Sequence, residues 1–412
     1  MGRLSDFIGR KRIYVLGCCL FALGALVAAF APSIYALIGA RVFVGVGSAM
    51  TQGTAMAILV GNFETHERAR MLGLQMSGVG LGAIAGPALG GFVVGAVGWR
   101  ALFVITALGM AVIAISAQRV LRRRTERPPP AGPTFDVAGA ALFAIVLAAG
   151  LLTLTLGPGA GWLAPRTLGG IALFAMTLAV FVVVEKRHPA PMLDFALIRN
   201  GAFALGALGA VVVFMALSAT RFLAPFFLQA VRGFDPAQVG LLLLPSATVT
   251  AVAAPFVGRF ADRFGVRLFA NIGFSVAILG LLVFTTLDPD TPTWLIVVGL
   301  MILALGMSSF SAPNSASILN SVEPASHGLA AGFVNLCRNT GNVIGIAFGT
   351  AIVTLMMARE GFPPSLAAVD PAAGEGVFAA FTYGVRVAST LLLSLALPVL
   401  GILVIAMRRR AP

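Results

Sequence analysis

Apolar residues along this chain come in long blocks separated by short polar ones. Twelve blocks of roughly 19 to 30 mainly apolar residues can be marked, near 13–31, 34–60, 69–97, 100–121, 136–157, 166–185, 201–230, 237–257, 267–287, 293–320, 328–357 and 378–407. Each is long enough to cross about 30 Å of hydrocarbon as a helix. The alternating ten-residue strands that a membrane barrel requires are absent from the sequence. Gly and Pro inside the longest blocks predict tilted or kinked helices, because neighbouring helices can cover the freed backbone groups. The pattern predicts an all-α polytopic membrane protein with 12 spans.

Composition agrees with that pattern. Of 412 residues 59% are hydrophobic and 10% charged, where soluble domains carry about 25% charged residues. The net charge of +13 raises the question of nucleic acid, and its placement answers it. Twenty of the 28 Lys and Arg fall in one alternating set of loops, Arg122, Arg123 and Arg124 among them, and four fall in the other set. The remaining four, Arg41, Arg221, Arg338 and Arg386, lie within spans. This bias predicts both termini on the cytoplasmic side, and no nucleic-acid partner. Cys18, Cys19 and Cys337 sit in apolar blocks, which argues against a disulfide framework. His66, His188 and His327 are scattered over three loops, so no metal site is expected. There is no G-x-x-x-x-G-K-[ST] for ATP, no cofactor motif and no cleavable leader pattern. Nor is there an embedded cluster of Asp, Glu or His, and no enzyme is predicted.

One ten-residue pattern occurs twice. Gly2, Asp6, Gly9, Arg10 and Lys11 return as Gly258, Asp262, Gly265 and Arg267, with Arg259 and Arg263 in the second copy. The shared frame is G-x-x-x-D-x-x-G followed by basic residues. Four blocks follow each copy; two precede the second copy, and only Met1 precedes the first. The repeat divides the chain into 1–121, a bundle of four spans, and 200–412, a bundle of six. Between them, 122–199 is a basic linker with Pro128, Pro129 and Pro130, plus two extra spans.

A second motif, Gly82-Ala-Ile-Ala-Gly86-Pro87-Ala-Leu-Gly90-Gly91, sets glycines four residues apart on nearly one helix face. Such a face lets backbones approach closely, and Pro87 removes one helical hydrogen bond. Leu37, Arg41, Gly45 and Gly47 form a third pattern. Together these motifs resemble the major facilitator superfamily, and within it the fourteen-span drug:proton antiporters of the EmrB/QacA type. The usual Gln of the third pattern is replaced by Val44. Pro191 to Asp194, Gln229 to Pro245 and Gly328 to Gly345 carry the same resemblance.

The resemblance implies a fold of two pseudo-symmetric helical bundles with two linker helices, 12 spans being present of an expected 14. It implies that the duplicated motif latches the two halves, and that Gly82 to Gly91 acts in gating and export. Arg41 is implied as a proton-coupling residue, and Arg338 as a buried charge of the second half's central helix. The implied function is proton-coupled efflux of small, largely hydrophobic compounds across the bacterial cytoplasmic membrane, by alternating access. Protons, small-molecule substrates and the bilayer are the implied partners. Blander readings exist: turns flanked by topogenic charge for the repeat, generic small-residue packing for the glycines, and snorkelling for Arg221 and Arg386.

All fifteen Asp and Glu fall in loops or at helix ends. A proton-coupled exporter needs a titratable group at mid-membrane, and the resemblance places one in the first family helix. That acid is therefore expected in two spans ahead of Met1, and these 412 residues alone are expected not to support proton-coupled efflux. Gln52, Gln229, Phe226 and Asn335 are candidates for a substrate cavity, with Gln75, Phe227, Asn339 and Asn342 as further candidates. The alternatives are a symporter for a polar or anionic solute, which the span arginines would suit, and an inactive remnant of an exporter.

Overall fold

The computed structural model describes residues 9–62, 78, 82, 85–86, 89–121, 137–161, 163–188, 200–319, 321–322, 327–370 and 373–408. Among these residues the regular structure is all helical. In chain order the long helices are α1 (Arg10–Ala29), α2 (Ile34–Asn62), α3 (Trp99–Val120), α4 (Val137–Ala160), α5 (Pro165–Arg187), α6 (Gly201–Phe226), α7 (Pro236–Phe264), α8 (Val266–Thr285), α9 (Thr293–Leu319), α10 (His327–Arg359) and α11 (Glu375–Arg408). All eleven are long and apolar enough to cross a membrane. Their order and number follow the apolar blocks. The block at 69–97 lies only partly within the described residues, which are helical at 78, 82, 85–86 and 89–97.

Helix ends follow from local chemistry. Asp235 caps α7 in a reciprocal box: the Gln238 amide N–H donates to its carboxylate at 2.8 Å, and the Asp235 N–H donates to the Gln238 side chain at 3.1 Å. Such boxes satisfy two backbone donors that the helix leaves open. Pro225 interrupts the last turn of α6, and the chain continues as a single wide turn, Phe227–Val231, with Arg232 N–H donating to Phe227 O at 3.1 Å.

The chain forms two compact units, Met1–Phe135 and Asp136–Pro412. In the first unit α1 packs on α2 and α3. In the second, α6 and α10 form one close pair and α8 and α9 another, and α4 lies on α10. The linker helices α4 and α5 thus belong to the second unit's packing.

Glycine sets these close pairs. A Cβ added at Gly17 would fall 2.7 Å from Met50 Cβ, one at Gly24 would fall 2.8 Å from Val44 N, and one at Gly47 would fall 2.6 Å from Gly17 O. In the second unit Gly280 faces Leu303 N at 2.5 Å, Gly273 faces Ser309 and Phe310, and Gly306 faces Ala277. These are the same contacts repeated. Gly273 and Gly280 stand 256 residues beyond Gly17 and Gly24, and Ala277 stands 256 beyond Phe21, which Gly47 faces. Gly306 stands 259 beyond Gly47, the difference being taken up by the longer turn between α8 and α9. Structurally the ten-residue repeat extends through a whole helix pair.

The α6–α10 pair uses a third set. Gly341, Gly345 and Gly349 lie against Val211, Met215 and Ala219, so that both helices advance four residues per contact and run parallel. Without hydrophobic driving force inside lipid, such backbone proximity supplies the packing energy between helices. Gly345→Ala puts its Cβ 2.7 Å from Met215 Cα, and is expected to lower stability by about 1–3 kcal/mol. Gly401→Ala meets nothing within 4 Å, and is expected to be neutral or to gain up to about 1 kcal/mol of helix propensity. Melting of the detergent-solubilised protein, compared between the two variants, checks this.

Candidate functional site

The two copies of the repeat end in the same backbone conformation. Gly9 has φ 107° and ψ 125°, and Gly265 has φ 104° and ψ 127°, a region that favours glycine. Each stands directly before a helix. Ile13 N–H donates to Gly9 O at 3.1 Å, and Phe269 N–H donates to Gly265 O at 3.3 Å. No described residue comes within 4 Å of a Cβ built on Gly265, so it is the backbone conformation that favours glycine there. Gly258, Arg259, Asp262 and Arg263 all lie within α7, which runs on to Phe264. None of them adopts a positive φ, and the turn is made by Gly265 alone. Gly2 and Asp6 lie outside the described residues.

Lys11 shows what the basic end of the motif does. Its ammonium donates to Gln118 O at 2.7 Å and to Leu121 O, at the end of α3. The last carbonyls of a helix lack partners and carry partial negative charge, so a cation there satisfies both needs. Arg10 opens α1 beside it. The counterpart of Lys11 is Arg267, again 256 residues on. It lines a cavity of about 180 Å³ with Asn271, Asn314 and the late α11 residues Leu403 and Ala406. In each unit, then, the motif's basic residue stands at the start of one helix and beside the final turns of the unit's last helix. Around the second copy, Phe260, Phe264 and Phe269 stack at 6.3 to 6.4 Å, and Arg263 covers the Phe264 ring.

The Gly82–Gly91 run is helical at Gly82, Gly86, Gly90 and Gly91; Pro87 lies outside the described residues. Gly341, Gly345 and Gly349 stand 259 residues beyond Gly82, Gly86 and Gly90, the step that also separates Gly47 from Gly306. The motif therefore has a second-half counterpart that the sequence reading did not pair with it. In the second unit that counterpart clasps α6. No described residue comes within 4 Å of a Cβ built on Gly82, Gly86 or Gly90.

Polar residues on the spans fall into two stripes. On α2, Arg41, Gly45, Ser48 and Gln52 recur at helical spacing, with Gln52 donating to Ser48 Oγ at 2.8 Å. Arg41 is exposed, and its guanidinium lies 5.2 Å from the centre of the Phe103 ring on α3. On α10, Asn335, Arg338, Asn339 and Asn342 occupy one face beside the glycines. Arg338 lies 5.0 Å from the centre of the Phe214 ring on α6, and its Nε is buried without a hydrogen-bond partner. Ser218 of α6 donates to Asn342 Oδ1.

Within the second unit, the cavity candidates Asn335, Phe226 and Gln229 do not come together. Gln52 belongs to the first unit. Asn335 lies on the early part of α10, whereas Phe226 and Gln229 lie at the far end of α6. By the α6–α10 register, about 30 Å of helix axis separates them. Phe226 packs on Phe222 at 5.4 Å and against the core, and Phe227 is fully buried. Arg221 and Arg386 are exposed on their helices. Glu185, in the last turn of α5, is 1% exposed, a burial that a position at a helix end gave no reason to expect. A cavity of about 510 Å³ in the first unit is mainly apolar, lined by Ala55, Ile58, Ile113 and Ala117, with Tyr14 and Ser116.

Residues 1–345 match the Major Facilitator Superfamily. The chain belongs to that family. This major facilitator protein is 32% identical over 346 residues to the multidrug resistance protein Stp of Mycobacterium tuberculosis. The matched stretch covers 84% of this chain and 64% of Stp. It is 27% identical to the riboflavin transporter RibZ of Clostridioides difficile, over 84% of this chain and 74% of RibZ. Its fold matches that of a bacterial homologue of the human lysosomal transporter Spinster, in the inward-facing and unoccupied conformation. That match has a TM-score of 0.66 and 18% identity, and it covers 97% of this chain and 83% of the other. The all-helical architecture expected from the apolar blocks, and the major facilitator fold implied by the motif resemblance, are thus established.

Lys11→Gln removes the charge that holds the end of α3. Loss of about 1 kcal/mol is expected, seen as faster amide exchange at residues 118–121 with the rest of α3 unchanged. Gly265→Ala, in open space, is expected to destabilise the α7–α8 corner by about 1–2 kcal/mol through φ alone, and melting in detergent measures it.

Proposed function

We propose that the transporter containing this chain exports small, largely hydrophobic compounds across a bacterial cytoplasmic membrane, with both termini in the cytoplasm and inward proton movement as the driving force. The observation that carries transport of a solute is the pair of polar stripes on α2 and α10. Each places an arginine and at least one amide on an apolar helix, where exposure to lipid is costly and a water-filled path or a ligand is the usual reason. Export is supported by the complete G-x-x-x-G-P-x-x-G-G frame at Gly82 to Gly91 and by the likeness to a protein named for multidrug resistance.

Magnitudes are compatible with one proton per cycle. A hundredfold gradient costs about 2.7 kcal/mol at about 1.4 per tenfold. One inward proton supplies about 2.3 kcal/mol per 100 mV, and about 1.4 more per pH unit. In this reading Gly9 and Gly265 set the corners at which Lys11 and Arg267 tie helix ends together, and the repeated motif latches the two halves. Arg41 serves proton coupling. The likeness to RibZ favours one other reading, uptake of a polar solute.

Direction separates the two. In everted vesicles carrying the transporter, a hydrophobic dye is expected to accumulate when the interior is acidified, and Arg41→Ala is expected to reduce the initial rate at least tenfold. Accumulation only in right-side-out vesicles whose exterior is acidified would show uptake instead.

A further inference from the structure

We infer that the α10 stripe is an anion-recognition site: Arg338, flanked by Asn335 and Asn339, receives a carboxylate, sulfonate or other anionic group on an otherwise apolar transported compound. This deepens the export reading and rests on it, because it names the substrate class of the same transporter.

The placement of Arg338 is the starting point. It stands 11 residues into the 33-residue α10, or about 16 Å along the axis, and lies within the apolar span Phe333–Arg359. A guanidinium stays charged at any physiological pH, and at that depth it requires compensation. The described helices of its unit place no acid beside it along their apolar length. α6, α8, α9 and α10 have no Asp or Glu, and those of α7 and α11 are confined to Asp262 and Glu375 at helix ends. The guanidinium instead lies over the buried Phe214 ring at 5.0 Å. That contact holds the group in place through the ring quadrupole, and it leaves the N–H edge uncommitted. Nε, on that edge, is buried and has no hydrogen-bond partner.

The neighbours complete a recognition surface. Asn335 and Asn339 are exposed on the same face, three residues before Arg338 and one after it. Asn342, one turn further on, is fixed from α6 by Ser218. An arginine fork accepts a planar anion through two parallel hydrogen bonds, and adjacent amides add donors. The parallel α6–α10 contact at Gly341 and Gly345 holds both walls rigidly. Binding energy from a buried charged hydrogen bond would therefore be realised without reorganising the helices.

The test uses a matched pair of probes with one ring skeleton: 8-anilinonaphthalene-1-sulfonate, and N-phenyl-1-naphthylamine, which lacks the sulfonate. Equilibrium binding of each is measured on the purified transporter in lipid nanodiscs, alongside its melting temperature. The native protein is expected to bind the sulfonate at least tenfold more tightly. Arg338→Gln should abolish that preference while leaving the neutral probe within twofold, and Arg338→Lys should restore part of it. Equal binding of the two probes by the native protein would overturn the inference. So would parallel loss of both probes in Arg338→Gln at unchanged melting temperature, and a preference that survives in Arg338→Gln. If Arg338→Gln fails to fold, Arg338→Lys decides: full retention of the preference with a point charge, at the native affinity, overturns the two-bond fork, and a weakened preference supports it. These readouts are independent of direction, so failure of the export reading in vesicles leaves them intact.

Discussion

Glycine-to-backbone contact between parallel or neighbouring helices is the constraint on which the rest of this fold depends. In water, burying apolar side chains would bring helices together; in lipid that force is absent, and close approach must supply the energy. Gly17, Gly24 and Gly47 bring α1 onto α2, and Gly273, Gly280 and Gly306 do the same for α8 and α9. Gly341, Gly345 and Gly349 seat α10 on α6. These contacts fix which residues are left to face outward. Asn335 and Asn339 stay exposed and Arg338 and Asn342 half-buried, because the neighbouring face of α10 is committed to glycine contact.

Much of the fold was legible in the sequence because its signal is long. An apolar run of twenty residues can be little else than a span, and the eleven described helices begin and end close to where the apolar blocks do. The duplicated motif was legible too, since Gly9 and Gly265 occupy a conformation that few other residues adopt. The continuation of the repeat was hidden. Gly17 and Gly273 lie among unrelated residues, and only the contact each makes with the next helix shows that they correspond. Which glycine of the motif makes the corner was hidden too, because a glycine inside a helix and a glycine in a turn look alike until φ is known.

The candidate site was less legible. Arg338 and Asn335 could be picked out as polar residues in an apolar run, but Ser218 and Phe214, which fix the stripe from α6, have nothing in their own sequence context to mark them. Gln229 and Phe226 were attractive for their chemistry, and they lie a membrane's thickness away from Asn335. Burial of Glu185 near a helix end was likewise invisible, since nothing in its own sequence context marks it. Sequence pattern reports which face of a helix is polar; which neighbour that face meets is a property of tertiary packing.

The unequal steps of the repeat, 256 residues up to the first helix of each pair and 259 beyond it, carry a consequence for how such a chain can change length over time. All three added residues sit in the turn between α8 and α9. One residue inserted within a clasped helix would rotate everything beyond it by about 100°, turning each glycine away from its partner. Length variation is therefore confined to the turns, and the helices between them descend as indivisible rungs. Comparing turn lengths across such duplicated proteins would record the history of the chain, while the spacing of glycines within each rung would stay fixed.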